Sequence, residues 1–225
     1  AANYLQRQES MVMYRIHEPP EREKIEQLRK VFRSMGQRFP GAIRYPGDLQ
    51  RLLEATHKTR LEPWIWEMLI LRTLQQARYF PGDKGHFGLA LSSYAHFTSP
   101  IRRYPDLCVH RALKHWLTQQ RFQGLDRKAR KRLQTPIPEV LPELAEHCSQ
   151  QERKAEKAEL QSIDLLKVSF LERFIGEGFI ATIRAVSNAG LKVLLDPHEL
   201  EWFLLLEALT DDWYSFDEET LTLLG

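Results

Sequence analysis

The fold of this chain is constrained most strongly by a change of sequence pattern near Gly176. Before that glycine, a segment from about Leu141 to Phe174 spaces its charged and apolar residues as one long helix does. After it, GFIATIRAVSNAGLKVLL contains two β-type runs around the turn SNAG, and HELEWFLLLEAL offers a third run. We therefore predict an α+β chain, mainly helical over residues 1–174, with a small β module over residues 175–225.

Two helices are predicted in the first quarter of the chain. PPEREKIEQLRKVFRSMGQ has the signals of a helix that begins at Pro20 and closes at Gly36. Asp48 is expected to be the N-cap of a second, short helix that runs to about His57. The apolar face that the first of these helices should bury consists of Ile25, Leu28, Phe32 and Met35.

The next segments combine strong apolar patterns with turn residues. LEPWIWEMLILRTLQQARYF predicts a central, well-buried helix, because apolar side chains nearly encircle it. Its Trp64 and Trp66 are either a partner surface or, as we favour, core residues. FPGDKGHFGLAL predicts a half-buried strand, in which Phe87, Leu89 and Leu91 alternate with small residues.

A further helix is predicted to begin at Pro105, and TPIPEVLPEL is expected to be a proline-punctuated linker before the long helix. The expected buried side of the Pro105 helix consists of Leu113, Trp116 and Leu117. Between the helix and the linker lies a basic cluster, which is either a solvated helix surface or a rim that faces phosphates. Its members are Arg127, Lys128, Arg130, Lys131 and Arg132.

Composition narrows the possible surroundings of the protein. No apolar run approaches the roughly 18 residues of a membrane span, and AANYLQRQES lacks the pattern of a signal peptide. Cys108 and Cys148 are too few for a disulfide framework, so we expect buried thiols in a cytoplasmic protein that makes no membrane contact. Since ANYLQRQ has a mid-helix pattern and no initiator Met precedes it, we also expect the chain to be a piece of a longer protein.

The stretch HFTSPIRRYPDL, residues 96–107, concentrates the chemistry of the chain. Adjacent arginines suit phosphate recognition, because guanidinium is planar, permanently charged and bidentate toward phosphate oxygens. Thr98 and Ser99 add hydroxyl donors, and the two prolines restrict the backbone that carries the arginines. On a structural reading, one of the arginines instead pairs with Asp106.

Residues 85–114, GHFGLALSSYAHFTSPIRRYPDLCVHRALK, resemble the signature of the RNase II/RNase R family of 3′-to-5′ exoribonucleases, and within it the bacterial ribonuclease R type. The segments MYRIHEPPEREKIEQLRKVF and EHCSQQERKAEKAE resemble two further segments of that family's catalytic RNB domain. GEGFIATIRAVSNAGLKVLL and LTDDWYSFDEE resemble the start of its S1 domain. The resemblance implies the C-terminal part of an RNB domain over 1–174, and the first part of a truncated S1 domain, of the OB fold, over 175–225.

The family hydrolyses RNA processively to nucleoside 5′-monophosphates with Mg²⁺, which an aspartate cluster holds in the first half of the RNB domain. No such cluster is apparent in this sequence, where Asp211 and Asp212 form the only adjacent pair and resemble a turn of the S1 domain. We therefore expect the metal ligands to lie upstream of this chain, and the isolated chain to have little or no activity. The alternative is a non-catalytic RNA-binding protein or scaffold derived from the family.

The resemblance implies roles for individual residues. Arg102 matches the arginine of the family's SPIR motif at the scissile phosphate, where it would stabilise charge on the transferring phosphoryl group. A catalytic glutamate of the long helix matches Glu159, and Glu152 and Glu156 remain open alternatives on the same helix face. RNA or phosphate contacts are implied for Tyr94, His96, Thr98, Ser99, Arg103 and Tyr104.

The expected partner is the single-stranded 3′ end of an RNA, and the family resemblance implies a monomer. Within the S1-like segment, Phe179 and Trp202 are either base-stacking residues or core residues. A zinc site built from His96, Cys108 and His110 is the remaining metal hypothesis, and it is disfavoured because no second Cys/His pair has structural-site spacing.

Overall fold

A computed structural model of the chain describes residues 2–7, 11–39, 41–56, 63–121, 137–217, 220 and 222–225. The predicted basic cluster at 127–132 lies outside these residues. Contacts divide the chain into two compact units. Unit 1 comprises Ala1–Pro20, Ile43–Leu49 and Leu74–Lys157, and unit 2 comprises Glu21–Ala42, Gln50–Thr73 and Ala158–Gly225.

Helices and short antiparallel strands follow one another along the described residues, as expected for an α+β chain. The helices are α1 (Ala2–Arg7), α2 (Arg22–Ser34), α3 (Pro46–Thr56), α4 (Pro63–Leu71), α5 (Tyr104–Arg121) and α6 (Ile137–Leu171). The strands are β1 (Tyr14–Ile16), β2 (Arg78–Phe80), β3 (Ile180–Ser187), β4 (Gly190–Asp196), β5 (Leu200–Leu205), β6 (Ser215–Asp217) and β7 (Thr222–Leu224). No described helix has both the length and the apolar character that a membrane crossing requires.

The core of unit 1 forms around β1, which pairs antiparallel with β2. Successive side chains of an extended strand point to opposite faces, so β1 and its flanking residues contribute to two clusters. One cluster contains Leu5, Val12, Tyr14, Ile16 and Val109. The other contains Met13, Tyr79, Cys108, Leu141 and Ala145. Because Val109 and Cys108 belong to α5, and Leu141 to α6, these clusters hold both helices against the small sheet.

In unit 2, α2 confirms the predicted helix and packs against α4 through the rings of Phe32 and Trp66, whose centroids are 4.3 Å apart. Gly36 has a φ of +68°, which permits the helix to end there, and the Gln37 N–H donates to the Phe32 carbonyl at 2.8 Å. The buried face of α2 consists of Ile25, Leu28, Val31 and Phe32, so Val31 takes the place predicted for Met35.

The single helix predicted over residues 61–80 is wrong in its second half. α4 ends at Leu71, where the Thr73 hydroxyl donates to the Ile70 carbonyl at 2.7 Å and competes with the helical pattern. Arg78–Phe80 then forms β2, because pairing with β1 satisfies its backbone groups. Trp66 is fully buried, as expected of a core residue, but Leu71 is 64% exposed, so the helix is not buried all round.

The strand predicted around residues 87–91 is also wrong. Phe87–Leu89 forms a 3₁₀ turn, and the Leu89 N–H donates to His86 Nδ1 at 3.2 Å. Ala90 adopts a left-handed φ of 55°, which an extended strand does not permit. The alternation of apolar residues correctly indicated that Phe87 is buried. Over so few residues, however, it did not determine the conformation of the backbone.

The second predicted helix is confirmed as α3, but Asp48 lies inside its first turn and is not the N-cap. Its carboxylate accepts the N–H groups of Arg44 at 2.7 Å and Tyr45 at 2.8 Å. An acidic side chain at that position still satisfies donors before the helix, and it opposes the positive end of the helix dipole. His57, the predicted end, lies outside the described residues.

Helix α5 confirms the helix predicted from Pro105, although Leu117 is 50% exposed and Leu113 and Trp116 are partly buried. Helix α6 confirms the long helix, but it begins at Ile137, so TPIPEVLPEL is not a linker throughout. Pro142 lies inside α6. Burial of neighbouring Leu141 in the unit 1 core offers a reason why the helix tolerates this proline.

Residues 180–205 confirm the predicted β runs as the antiparallel sheet β3-β4-β5. Gly190 follows the turn between β3 and β4 and pairs with Leu205. A Cβ at Gly190 would lie 2.1 Å from the Leu204 carbonyl oxygen, which explains why glycine is needed there. The domain boundary at 174/175 stays a prediction.

Candidate functional site

The site is built on the SPIRR loop, residues 99–103, which a carboxylate of α5 holds in place. Asp106 Oδ1 accepts the Ser99 N–H at 2.8 Å and Arg103 Nη2 at 2.9 Å. The N–H groups of Arg102 and Arg103 donate to the Ser99 carbonyl at 3.3 Å and 3.0 Å. The loop is therefore a closed turn whose two ends are joined through one side chain.

Asp106 is fully buried, so its ionisation depends on these contacts. Burial alone would raise the pKa of the carboxyl group, but the hydrogen bonds from the Ser99 N–H and the Arg103 guanidinium outweigh it and lower the pKa. Asp106 Oδ2 and Arg103 Nε are buried and have no partner among the described residues. The sequence left open that one of the two arginines pairs with Asp106, and the structure shows that this arginine is Arg103.

Arg102 differs from its neighbour. Its side chain is exposed, as is the fully exposed Ile101 beside it, so both lie at the tip of the SPIRR loop. Because the backbone beneath them is hydrogen-bonded to Ser99, the tip is preorganised although its side chains are in solvent. Arg102 is therefore the arginine of the pair that is available to an incoming anion.

The start of the stretch is attached to α5 by a second contact. The rings of Phe97 and His110 stack with centroids 4.1 Å apart and planes at 7°. His110 Nε2 also lies 2.7 Å from the Phe97 carbonyl oxygen, and it donates to that oxygen because a carbonyl only accepts. Phe97 and Ser99 are thus both anchored on α5, which fixes the exposed Thr98 between them.

Tyr94 and His96 lie in a run of aromatic rings rather than on an open surface. The His96 ring meets Tyr94 edge-on at 5.7 Å and Tyr79 at 5.6 Å, and Tyr94 meets His86 at 5.3 Å. Tyr79 Oη lies 2.9 Å from His96 Nδ1. His86 in turn stacks on His17 at 5.0 Å. Each ring is therefore held on at least one edge by a neighbour.

Burial and neighbouring charges keep His96 and Tyr79 of this run uncharged. Burial lowers the pKa of His96 to about 4, and the positive charges of Arg103 and Arg15 act in the same direction. Burial and the nearby Glu152 carboxylate raise the pKa of Tyr79 to about 12. At neutral pH, His96 is a neutral imidazole and Tyr79 a neutral phenol.

Arg15 and Glu152 form a charged pair next to Tyr79 that the sequence patterns did not predict. Arg15 forms an ion pair with Glu152, and its guanidinium lies 4.8 Å from the centroid of the Tyr79 ring. The Tyr79 N–H also donates to Ser149 Oγ at 3.0 Å, so β2 and α6 are joined at this point. Arg15 lies in the segment MYRIHEPPEREKIEQLRKVF and Glu152 in the segment EHCSQQERKAEKAE. The two residues are 137 positions apart in the sequence.

The three glutamates of α6 have different surroundings. Glu152 is partly buried against Arg15, and Glu156 accepts a hydrogen bond from Gln76 Nε2 at 3.1 Å. Glu159 is exposed and belongs to unit 2. The structure thus brings Glu152 to the aromatic run, and the catalytic role expected of Glu159 stays a prediction.

Tyr104 is 46% exposed, and the Arg111 guanidinium lies 5.8 Å from the centroid of its ring. In the S1-like segment, Phe179 packs against Phe174 and His198, with ring centroids 5.9 Å apart in both cases. Trp202 is 37% exposed on β5. Of these two residues, Trp202 offers more free ring surface for stacking, whereas Phe179 makes packing contacts.

Metal binding is not supported by the described residues, since no group of three or more His, Cys, Asp or Glu side chains among them is placed to hold an ion. His96 Nδ1 is engaged by Tyr79 and His110 Nε2 by Phe97, which argues against the zinc hypothesis. Cys108 and Cys148 are free thiols whose pKa values burial raises. The described residues do not fit a Mg²⁺ site, because no carboxylate cluster is present among them.

The lowered pKa of His96 predicts a pH dependence of stability. An unfolded imidazole has its ordinary pKa of 6.5, and the folded one about 4, so the unfolded chain binds the proton more strongly between these values. Stability is therefore present above pH 6.5 and falls as the pH drops toward 4. We expect a loss of about 1–2 kcal/mol from pH 7 to pH 4.5, since solvent screens the partly exposed ring.

Urea unfolding at several pH values measures this effect. The His96→Gln variant has no titrating group at this position, so its stability should depend less on pH over the same range. Identical pH profiles for the two proteins would contradict the proposed environment of His96.

The chain matches the RNB domain family over residues 1–119. It is 40% identical to ribonuclease R of Aquifex aeolicus over 214 residues, which are 95% of this chain and 29% of that protein. It is 36% identical to ribonuclease R of Escherichia coli over 226 aligned positions, covering 100% of this chain and 28% of that protein. The chain therefore spans less than a third of the length of these relatives.

Among solved structures, too, a ribonuclease R is similar to this chain. RNase R of Mycoplasma genitalium in complex with ribose-methylated single-stranded RNA matches with a TM-score of 0.83 and 26% identity, over 100% of this chain and 34% of that one. Yeast Ssd1, a pseudonuclease, matches with a TM-score of 0.68 and 24% identity, over 97% of this chain and 26% of that one. The second match is a likeness of fold alone.

Proposed function

We propose that this chain, which belongs to the RNB family, is part of a 3′-to-5′ exoribonuclease of the ribonuclease R type. The proposed reaction is hydrolysis of the terminal phosphodiester of an RNA. Water attacks phosphorus, the bond to the 3′ oxygen of the preceding nucleotide breaks, and that oxygen takes up a proton. The products are a nucleoside 5′-monophosphate and an RNA shortened by one residue, and the enzyme repeats the step processively.

The observation that carries this proposal is the SPIRR loop, in which Asp106 holds the backbone while Arg102 faces solvent. A guanidinium carried on a held backbone can stabilise the negative charge that grows on the phosphoryl oxygens in the transition state, and such stabilisation lowers the barrier. Arg102 is the residue to which we assign that role. Arg103 supports the loop through its ion pair with Asp106 and adds positive charge beneath it.

The remaining residues of the stretch would bind the RNA chain. Thr98 and Ser99 offer hydroxyl donors for phosphate oxygens, and the exposed Tyr104 offers a ring face. Tyr94 and His96 would contact the RNA through the edges of their rings, because their neighbours occupy much of the rest. Glu159 keeps its proposed supporting role in catalysis.

Mg²⁺ would supply charge neutralisation at the phosphate, and we propose that residues outside this chain hold it. Single-stranded RNA with a free 3′ end is the proposed substrate, and the β module from residue 175 onward would hold the chain upstream of the cleaved end. We further propose that the complete protein works in the cytoplasm as a monomer.

The test uses the longer protein that contains this chain, identified by translating the DNA upstream of Ala1. With 5′-labelled single-stranded RNA and Mg²⁺, we expect the full-length RNA to be converted to short labelled end products with few intermediates, because the proposed degradation is processive. An RNA whose 3′ end is blocked should not be shortened. The isolated 225-residue chain should bind the RNA with little or no degradation. Robust Mg²⁺-dependent degradation by the isolated chain would contradict the assignment of the metal ligands to residues outside it.

RNA binding without cleavage by the longer protein would instead support the second function, a non-catalytic RNA-binding protein of this family. A start codon immediately upstream of Ala1 would favour it as well. An in-frame segment with closely spaced aspartates would favour the enzyme.

A further inference from the structure

The hydroxyl of Tyr79 contacts one of the residues that we assign to RNA binding. Tyr79 is 3% exposed, and its Oη lies 2.9 Å from His96 Nδ1. Its backbone N–H donates to Ser149 Oγ at 3.0 Å, and the Ser149 hydroxyl donates to the Ala145 carbonyl at 2.8 Å. The ring is therefore anchored to α6 at its backbone and to His96 at its tip.

The direction of this hydrogen bond follows from the requirement that buried polar groups be satisfied. Among the described residues, His96 Nδ1 is the hydrogen-bond partner of the Tyr79 phenol. If Nδ1 carried the proton, the phenolic hydrogen would need another acceptor in a buried place. Both groups are satisfied when the phenol donates to Nδ1, and a neutral imidazole then carries its proton on Nε2.

Burial is the main reason why the His96 ring is neutral. Arg103 on the SPIRR loop and Arg15 on β1 disfavour a cation, while Asp106 of α5 and Glu152 of α6 favour one. Each of these arginines forms an ion pair with one of these carboxylates, so their effects on the ring largely cancel and burial decides the outcome. In the described part of the chain, Nε2 of His96 has no hydrogen-bond partner.

We propose that Tyr79 is a positioning residue that fixes His96 in the Nε2–H tautomer, so that His96 donates one uncharged hydrogen bond to a phosphate or ribose oxygen of bound RNA. The inference rests on the proposed function, because it names what His96 contributes to the same site. A neutral donor binds the RNA backbone with a fixed orientation and adds no permanent charge to the site. An imidazole without Tyr79 would exchange between tautomers, and in one of them Nε2 would be an acceptor facing the electronegative RNA.

The tautomer is measured directly by ¹⁵N nuclear magnetic resonance of the 225-residue chain labelled at histidine. In the wild type we expect His96 to show a protonated Nε2 and an unprotonated Nδ1 throughout the range from about pH 6 to pH 8. Tyr79→Phe should give averaged signals from both tautomers. Tyr14→Phe is the matched control, because Tyr14 is also 3% exposed and its pKa is likewise raised to about 12, yet its hydroxyl has no contact with His96 among those described.

The RNA contact is measured by fluorescence anisotropy with a 5′-fluorescein single-stranded oligoadenylate. His96→Ala should weaken binding about five- to tenfold, as expected for one oriented hydrogen bond. Tyr79→Phe should weaken it less, by about twofold, because the Nε2–H tautomer stays partly populated. The double variant should be no weaker than His96→Ala alone, because Tyr79 acts through His96. His96→Gln retains an N–H donor and should recover part of the affinity, and Tyr14→Phe should bind as the wild type does.

The outcomes separate the two proposals. Additive losses in the double variant, or a wild-type His96 protonated on Nδ1, would overturn the role of Tyr79 even if RNA binding is intact. Loss of affinity in Tyr14→Phe equal to that in Tyr79→Phe would show a general effect of the core and overturn it as well. A wild-type chain that shows the expected tautomer but does not bind the oligoadenylate would overturn the RNA contact together with the proposed function.

Discussion

The Asp106→Ala variant is expected to lose about 3–5 kcal/mol of unfolding free energy, a large part of the stability of a domain of this size. Asp106 is fully buried, and its Oδ1 is the acceptor for both the Ser99 N–H and the Arg103 guanidinium. Alanine would leave the Arg103 side chain, which is only 24% exposed, without its counter-charge. It would also leave the Ser99 N–H without its acceptor, and unsatisfied buried donors are costly.

The matched control is Asp164→Ala. Asp164 also pairs with a basic residue three positions away, Lys167, but its side chain is 68% exposed. Solvent screens that pair, so its removal should change stability by less than about 0.5 kcal/mol. Urea midpoints of the wild type and both variants at pH 7 provide the measurement. Equal shifts for the two variants would show that the Asp106 contacts do not hold the loop as the structure indicates.

If the proposed function holds, the Arg102→Ala variant of the longer protein is expected to lower the kcat of RNA hydrolysis by about 10²–10³-fold, the range seen when one donor to a developing charge is removed. The unfolding free energy should stay within about 0.5 kcal/mol of the wild type, because the side chain is exposed and Asp106 still holds the loop. An effect on kcat without an effect on stability distinguishes Arg102 from Asp106, whose loss acts on both.

Arg102→Lys and Arg33→Ala are the companion variants. Lysine keeps the charge but lacks the planar fork, so we expect a kcat between those of the wild type and Arg102→Ala. Arg33 is an exposed arginine in the last turn of α2. Arg33→Ala removes one positive charge, as Arg102→Ala does, but it should leave kcat unchanged. Single-turnover rates with a labelled oligoribonucleotide supply the measurement. An unchanged kcat in Arg102→Ala would remove this arginine from the reaction.

Local patterns predicted the elements whose stability is largely local. Helix α2, the helix from Pro105 and the strands around SNAG were all predicted correctly, because a helix face or a strand–turn–strand run is encoded in neighbouring residues. The residues before β2 and around Phe87 were predicted wrongly. Long-range contacts decide the conformation of both segments: β2 pairs with β1, and His86 of the 3₁₀ turn stacks on His17.

The sequence by itself determined the family, the α+β class and the stretch to which we assign phosphate binding, since these depend on the order and type of nearby residues. Only the tertiary structure decided which arginine is free, because Asp106 engages Arg103 and leaves Arg102 in solvent. It also decided that Tyr79, Arg15 and Glu152 meet beside His96. These residues belong to β1, β2 and α6, which are far apart in the sequence. Their burial and the charges around them depend on the meeting of these three elements, which no local sequence pattern encodes.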